Sequence, residues 1–392
     1  VATSRFKRSP LELVDMTDDL QRGLEGVTVA ETRLSSIDGE NGVLVIGGFS
    51  LDELAPNATF EETLFLLYED RLPTEAELEA FRSDLAASRR VHPDAVDTVV
   101  DAAERGLPAM DAVRMGIAAA PLTRDGEEDP QTDAKLAVAQ LPTVAAAYWR
   151  AREGEDPVEP REDLGHAANY LYMLDGEEAS EERVRGLETY LNSVVDHGLN
   201  ASTFTARTIV STESDVVSAV TGAVGALKGP LHGGAPGPVL DMLRDAQAAD
   251  DPAGLVRDIL DSGERVMGFG HRVYDVRDPR AAVLQSAAES FYEGRDERAF
   301  FEAAREFEDA AVDVLAEHRP DLRLETNVEF YTAVLLNGVG VPKELFTPTF
   351  AVARAGGWTA HCLEQLEDNR LIRPRAAYVG ETDREWTPLG QR

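Results

Sequence analysis

Apolar positions along the chain recur mostly at helical spacing. Val184, Leu187, Tyr190, Leu191, Val194 and Val195 fall three and four apart and run into His197-Gly198, which predicts a helix stopped by glycine. A second stripe, Val216, Val217, Val220, Ala223, Val224 and Leu227, predicts a helix that Gly229-Pro230 ends. Thr347-Pro348 reads as an N-cap and a first-turn proline, opening a helix that carries Phe350, Ala353, Arg354, Trp358, Cys362 and Leu366. Strand signals are few. Gly42 to Phe49 (GVLVIGGF) is β-rich and predicts a small ribbon near the N-terminus. Asp125 to Asp133 and Gly154 to Asp163 read as acidic, proline-containing loops that punctuate helices rather than separate domains. The pattern predicts a nearly all-α chain, long enough for one large domain or two.

The longest apolar stretch, Leu136 to Trp149, is broken by Gln140, Pro142 and Thr143 and is too short to span a bilayer. The start, Val1 to Lys7, has no apolar signal-peptide core. A soluble cytoplasmic protein is the simplest expectation, with no membrane partner. Charge sharpens it. Among 392 residues, 72 acidic side chains face 38 basic ones, a formal charge of −34, and only Lys7, Lys135, Lys228 and Lys343 are lysines. So acidic a field disfavours nucleic acid and anionic membrane as partners. Its self-repulsion is largely screened at molar salt, where the Debye length falls to about 3 Å, so a salt-rich cytoplasm is expected. The single cysteine, Cys362, excludes an intrachain disulfide and a cysteine-based zinc site.

Seven histidines remain. His92 before Pro93, His166 at an expected helix start, His318 in a surface-like loop and His361 inside the helix after Pro348 read as structural or exposed. His197, His232 and His271 differ, because each sits beside glycines that let backbone and ligand approach an imidazole closely. Taken singly, each is equally a loop histidine beside a turn glycine. Their separations fit no paired metal motif, and no metal is expected. Gly268-Phe269-Gly270 begins a dinucleotide fingerprint, but Val273 stands at its third glycine. Asp278-Pro279-Arg280 fixes an arginine beside a rigid turn. Glu329, set among apolar residues, is a candidate base, and on pattern alone equally a surface glutamate at a helix start. Arg354, Arg370, Arg373 and Arg375 stand out in so acidic a chain. They suit carboxylate recognition, or pairing with the chain's own acids.

In order, Gly229-Pro230-Leu231-His232-Gly233-Gly234-Ala235, Gly268-Phe269-Gly270-His271-Arg272-Val273-Tyr274 with Asp278-Pro279-Arg280, Asn327-Val328-Glu329-Phe330-Tyr331 and Phe346-Thr347-Pro348-Thr349-Phe350-Ala351-Val352-Ala353-Arg354 resemble the citrate synthase family. Arg370 to Ala376 matches its ending. The resemblance covers residues 197 to 380, while the first half fits only as a helical segment after a short ribbon.

The resemblance implies an all-α fold of two domains: a large one from residues 1–222 and 335–392, and a smaller one, 223–334, that closes over the substrates. It implies a homodimer whose site borrows Arg373 from the other subunit. Glu329 would take a methyl proton from acetyl-CoA, His232 would stabilise the enol, and His271 would protonate the oxaloacetate carbonyl. His197, His271, Arg280, Arg354 and Arg373 would hold oxaloacetate. Gly268, Phe269, Gly270, Arg272 and Arg323 would contact CoA, which enters as a thioester substrate rather than a resident cofactor. Two departures stand out. The family's usual base is aspartate, and Asp275 stands where many relatives carry a basic residue for CoA phosphates; Arg272, Arg277 and Arg323 are candidates to compensate. The competing expectations are a 2-methylcitrate synthase using propionyl-CoA and a non-catalytic protein that keeps the fold.

Overall fold

The computed structural model describes residues 20–392, except Glu25, Asp125, Glu127, Gly234 and Ala235. Val1 to Lys7, and Gly234-Ala235 of the His232 motif, lie outside the described residues. Thr32–Leu371 form one compact unit. The described residues before Thr32, together with Ile372–Arg392, form a second, with short 3₁₀ turns at Arg22–Leu24 and Leu389–Gln391.

The larger unit is helical apart from a three-stranded antiparallel sheet near its start: β1 (Ser35–Asp38), β2 (Val43–Ile46) and β3 (Phe49–Ser50). Ser35 pairs with Ile46 and Asp38 with Val43. The expected ribbon is present, split by Gly47-Gly48 and joined by β1, which the apolar pattern did not announce. Then follow α1 (Leu51–Leu54), α2 (Phe60–Glu69), α3 (Glu75–Ala87), α4 (Pro93–Glu104), α5 (Ala109–Ala118), α6 (Pro130–Arg152), α7 (His166–Asp175) and α8 (Glu181–Val194). The second half holds α9 (Ala201–Val210), α10 (Val216–Leu227), α11 (Pro236–Ala248), α12 (Pro252–Asp261), α13 (Pro279–Tyr292), α14 (Arg298–His318), α15 (Val328–Val339) and α16 (Phe346–Glu367). The architecture is the expected all-α one.

Several boundaries move for identifiable reasons. Asp129 caps α6 and Pro130 is its first residue, so the acidic loop stops four residues early. His318 ends α14 rather than lying in a loop. A 3₁₀ turn at Lys343–Leu345 leads straight into α16, so Thr347 is already inside the helix and is not its cap.

α6 and α16 form the axis of the core. Residues Leu136 to Tyr148 of α6 are buried, Pro142 included, as are Ala351 to Leu363 of α16. A helix apolar on every side belongs inside. No helix among the described residues is long and apolar enough to cross a membrane. Gly356 and Gly357 let α16 meet the end of α8 closely: a Cβ at Gly357 would overlap the Val195 carbonyl oxygen and reach 2.8 Å from Asp196 Oδ1. That contact places the turn bearing His197.

Candidate active site

His197 follows α8 in a turn tied down from three sides. The Asp196 carboxylate accepts from Ser35 Oγ (2.5 Å), from Gly198 N–H (3.3 Å) and from His361 Nε2 (3.1 Å). Arg207 donates to His361 Nδ1 (3.0 Å), so the His361 proton sits on Nε2, facing Asp196. Burial alone would raise the Asp196 pKa, but His361, Arg354 and Ser35 hold it below the usual range. His361 is therefore a buried support, in line with its structural reading. His197 itself is 8% exposed, with Nε2 3.0 Å from Tyr274 Oη. Burial, then Arg280, Arg354 and His271, push its pKa well down, so the ring is neutral.

The His271 loop is laced to the start of α15. Gly270 N–H donates to Glu325 O (2.7 Å), Asn327 N–H to Gly268 O (2.9 Å) and Asn327 Nδ2 to Gly270 O (2.9 Å). Gly268 takes φ +88°, and a Cβ there would lie 3.1 Å from Phe330 Cβ, so only glycine suits this approach. Phe269 packs edge-on to Phe330 (centroids 5.5 Å). At His271, Nδ1 faces the backbone N–H groups of Val273 (3.1 Å) and Tyr274 (3.4 Å). Those groups can only donate, and the donor-only Arg280 guanidinium faces Nε2, so the contacts around the ring set no tautomer. Burial and Arg280, whose Nη2 lies 3.3 Å from Nε2, lower the His271 pKa to about 4.

Asp278 organises the next step. Its carboxylate caps α13 through Arg280 N–H (3.0 Å) and grips the Arg280 guanidinium at Nε (3.0 Å) and Nη2 (2.7 Å). The same carboxylate receives Val328 N–H (3.3 Å) from the first residue of α15. Glu308 braces the pair, accepting from Arg277 (2.7 Å), Thr326 (2.6 Å) and Tyr331. Glu329 stands second in α15, its backbone N–H capped by Asn327 Oδ1 (3.0 Å). Burial pushes its carboxyl up to about 7 against the pull of Arg280, with Asp278 adding to the rise.

His232 is held from α9 and α16. Ser202 N–H (3.3 Å) and Ser202 Oγ (2.8 Å) both meet His232 Nε2. The backbone amide can only donate, so Nε2 is an acceptor and the neutral ring carries its proton on Nδ1. Trp358 Nε1 donates to Ser202 Oγ (3.0 Å), and Thr347 Oγ1 donates to Gly233 O (3.0 Å). Burial and Arg354 lower the His232 pKa to about 4. The N-terminus of α9 adds to that, because its positive end disfavours an imidazolium. Arg354 is 2% exposed, donates through Nε to Val194 O (2.7 Å) and stacks on Phe350 at 4.6 Å. Burial lowers its pKa to about 10.

Thus the rings of His197 and His271 lie 5.6 Å apart, Arg280 bears on both, Glu329 feels Arg280, and Arg354 bears on His197 and His232. Arg272 and Arg323 are exposed. Arg373 is exposed within the terminal unit. The sequence reading missed Ser202, Trp358 and Glu308 as supports, and gave Tyr274 no role although it lay in a quoted motif. A cleft of about 650 Å³ between α8 and α13, lined by Arg185, Thr189, Ala282, Ser286, Ala287 and Phe291 among others, contains none of the three histidines.

The arrangement holds neutral imidazoles, of which His232 offers Nδ1–H, a carboxyl poised near neutrality and two buried arginines. It suits proton abstraction beside a carbonyl with a dianion held close by. A sequence profile described as "Citrate synthase, C-terminal domain" matches residues 23–375. A citrate synthase of Haloferax volcanii is 46% identical over 96% of this chain and 100% of its own length. 2-Methylcitrate synthase 1 of Corynebacterium glutamicum is 35% identical over 95% and 98%. The crystal structure of citrate synthase from Thermotoga maritima superposes with a TM-score of 0.81 at 36% identity, covering 95% of this chain and 99% of that one. Citrate synthase from Thermoplasma acidophilum, solved as a ternary complex with carboxymethyl coenzyme A and oxaloacetate, gives 0.85 at 29% identity, covering 95% and 99%. The chain belongs to the citrate synthase family.

Proposed function

We propose that this site condenses acetyl-CoA with oxaloacetate and water to give citrate and CoA. The carrying observation is the pair of Ser202 contacts that leaves His232 offering Nδ1–H, in a site where burial raises the Glu329 carboxyl to about 7. Ionised Glu329 takes a proton from the acetyl methyl group. His232 Nδ1–H hydrogen-bonds the thioester oxygen, where charge develops as the enol forms. The enol carbon attacks the oxaloacetate carbonyl, whose oxygen takes a proton from His271, and the proton held by Glu329 returns to restore the neutral ring. Water then cleaves the thioester and releases CoA.

His197, Arg280, Arg354 and Arg373 of a second copy hold the two carboxylates, so the reading includes a homodimer. Asp278 fixes the plane of the Arg280 guanidinium before substrate arrives. Gly268, Phe269, Gly270, Arg272 and Arg323 serve CoA. A smaller lobe, 223–334, closes on a larger one and excludes water.

Acetyl-CoA is favoured over propionyl-CoA, because the 2-methylcitrate synthase match is the more distant one. One methylene is worth about 1–3 kcal/mol in an apolar pocket, so the preference is read directly by thiol release. The kcat/KM for acetyl-CoA exceeds that for propionyl-CoA in molar KCl; the reverse order would assign the other reaction.

The charge of −34 is read as adaptation to a salt-rich cytoplasm. The unfolding midpoint rises by roughly 10 °C between 0.1 and 2 M KCl, since each kcal/mol of repulsion relieved moves it about 2–4 °C in a large domain. A midpoint that is as high at 0.1 M KCl overturns the salt reading.

A further inference from the structure

Strand β1 runs between the two segments that the proposed function assigns to oxaloacetate. At its start, Ser35 Oγ donates to Asp196 Oδ2 (2.5 Å) and accepts from Gly198 N–H (2.9 Å), bracketing His197. A Cβ at Gly198 would lie 3.3 Å from Ile37 Cδ1, so the strand's middle also touches that turn. Just past its end, Gly39 C=O accepts from Asp275 N–H (3.0 Å). A Cβ at Gly39 would overlap the Val273 carbonyl oxygen and lie 3.5 Å from Val273 Cγ1. One at Gly42 would lie 2.8 Å from Val276 Cγ2 and 3.2 Å from Arg277 O. The turn after β1 therefore lies flush, backbone to backbone, on the run between His271 and Arg280.

The turn is itself fixed. The Asp38 carboxylate accepts from Asn41 N–H (3.0 Å) and Nδ2 (2.8 Å). β2 pairs with β1 along its whole length, so the strand cannot bend easily. Ser35 and Gly39 are about 13 Å apart at the usual rise of a strand.

We propose that β1 is a splint that sets the spacing between His197 and the His271–Arg280 loop, with Ser35 and Gly39 as positioning residues for oxaloacetate. The proposal rests on the oxaloacetate role given above. Gly39 lacks the left-handed backbone of Gly42, so alanine strains nothing there except the contact with Val273.

The test compares Gly39→Ala and Ser35→Ala with Glu40→Ala, a change at an exposed position on the same turn. Steady-state kinetics and thermal midpoints are measured on the full chain in molar KCl. Gly39→Ala and Ser35→Ala raise the oxaloacetate KM by roughly tenfold or more, as a shift of about 1 Å can cost up to 10²-fold, while the acetyl-CoA KM stays within about twofold. Their midpoints stay within a few degrees of the parent, and Glu40→Ala behaves as the parent. An oxaloacetate KM unchanged in both folded variants overturns the splint. If Gly39→Ala does not fold, Ser35→Ala decides alone, since it adds no atom. A parent enzyme that oxaloacetate does not saturate overturns the site reading instead, which keeps the two failures apart.

Discussion

Glu329→Gln lowers kcat by about 10²–10⁴-fold, the range that a positioned general base supplies. Glutamine keeps the size and the helix position but has no lone pair basic enough to accept a methyl proton. Oxaloacetate binding changes little, because the side chains assigned to it lie on other segments: His197 after α8, Arg280 on α13 and Arg354 on α16. The effect thus falls on kcat and not on the oxaloacetate KM. The local structure also survives, since α15 is capped by Asn327 and Asp278 through backbone N–H groups and not by the Glu329 carboxyl. Rapid-quench or thiol-release kinetics on folded protein check this. A Glu329→Gln enzyme within a few-fold of the parent removes Glu329 from the reaction.

His232→Ala lowers kcat by about 10²–10³-fold, the usual loss when one donor to a developing oxyanion is removed. The physical reason lies in the ring's state. With a pKa near 4 and Nε2 committed to Ser202, His232 offers a neutral Nδ1–H at every working pH. A neutral donor matches an enol better than an imidazolium would, because it stabilises the oxygen without handing over a proton early. Ser202 and Trp358 remain to fill the pocket behind the missing ring, so the fold tolerates the change. An active preparation of His232→Ala with unaltered turnover contradicts the assignment.

The candidate site is legible where it is local. Glycines mark out His197, His232 and His271, and a proline turn marks Arg280, and the structure brings His197, His271 and Arg280 together. What supports them was not legible, because it is built across the chain. Ser202 meets His232 over 30 residues and Trp358 over 156, and no spacing rule reaches that far. Strand β1 (SSID) has two serines and one isoleucine, too weak a pattern to read, and it forms because Ser35 binds Asp196 and its backbone pairs with β2. Thr347 looked like a cap because Thr-Pro usually is one. A preceding 3₁₀ turn extends the helix and frees its hydroxyl for the His232 loop. Tertiary contacts override local preference in each case.

The acidity takes a different meaning once the site is in view. The charge of −34 belongs to the chain as a whole, yet two of its few basic side chains, Arg280 and Arg354, are nearly fully buried beside the histidines. Burial, and after it these cations, keeps the imidazoles neutral, and the proposed function gives the cations a dianion to hold.

The most direct measurement is the pH dependence of kcat/KM for acetyl-CoA between pH 5.5 and 8.5, at saturating oxaloacetate and constant KCl. The base works only when ionised, and Glu329 ionises near 7, so the rate must rise about tenfold per pH unit below that value and level off above it. His232 and His271, near 4, stay neutral throughout and add no second limb. A profile that rises and then levels off near 7 agrees with Glu329 as the base. A profile flat from 5.5 to 8.5 in fully active enzyme contradicts it.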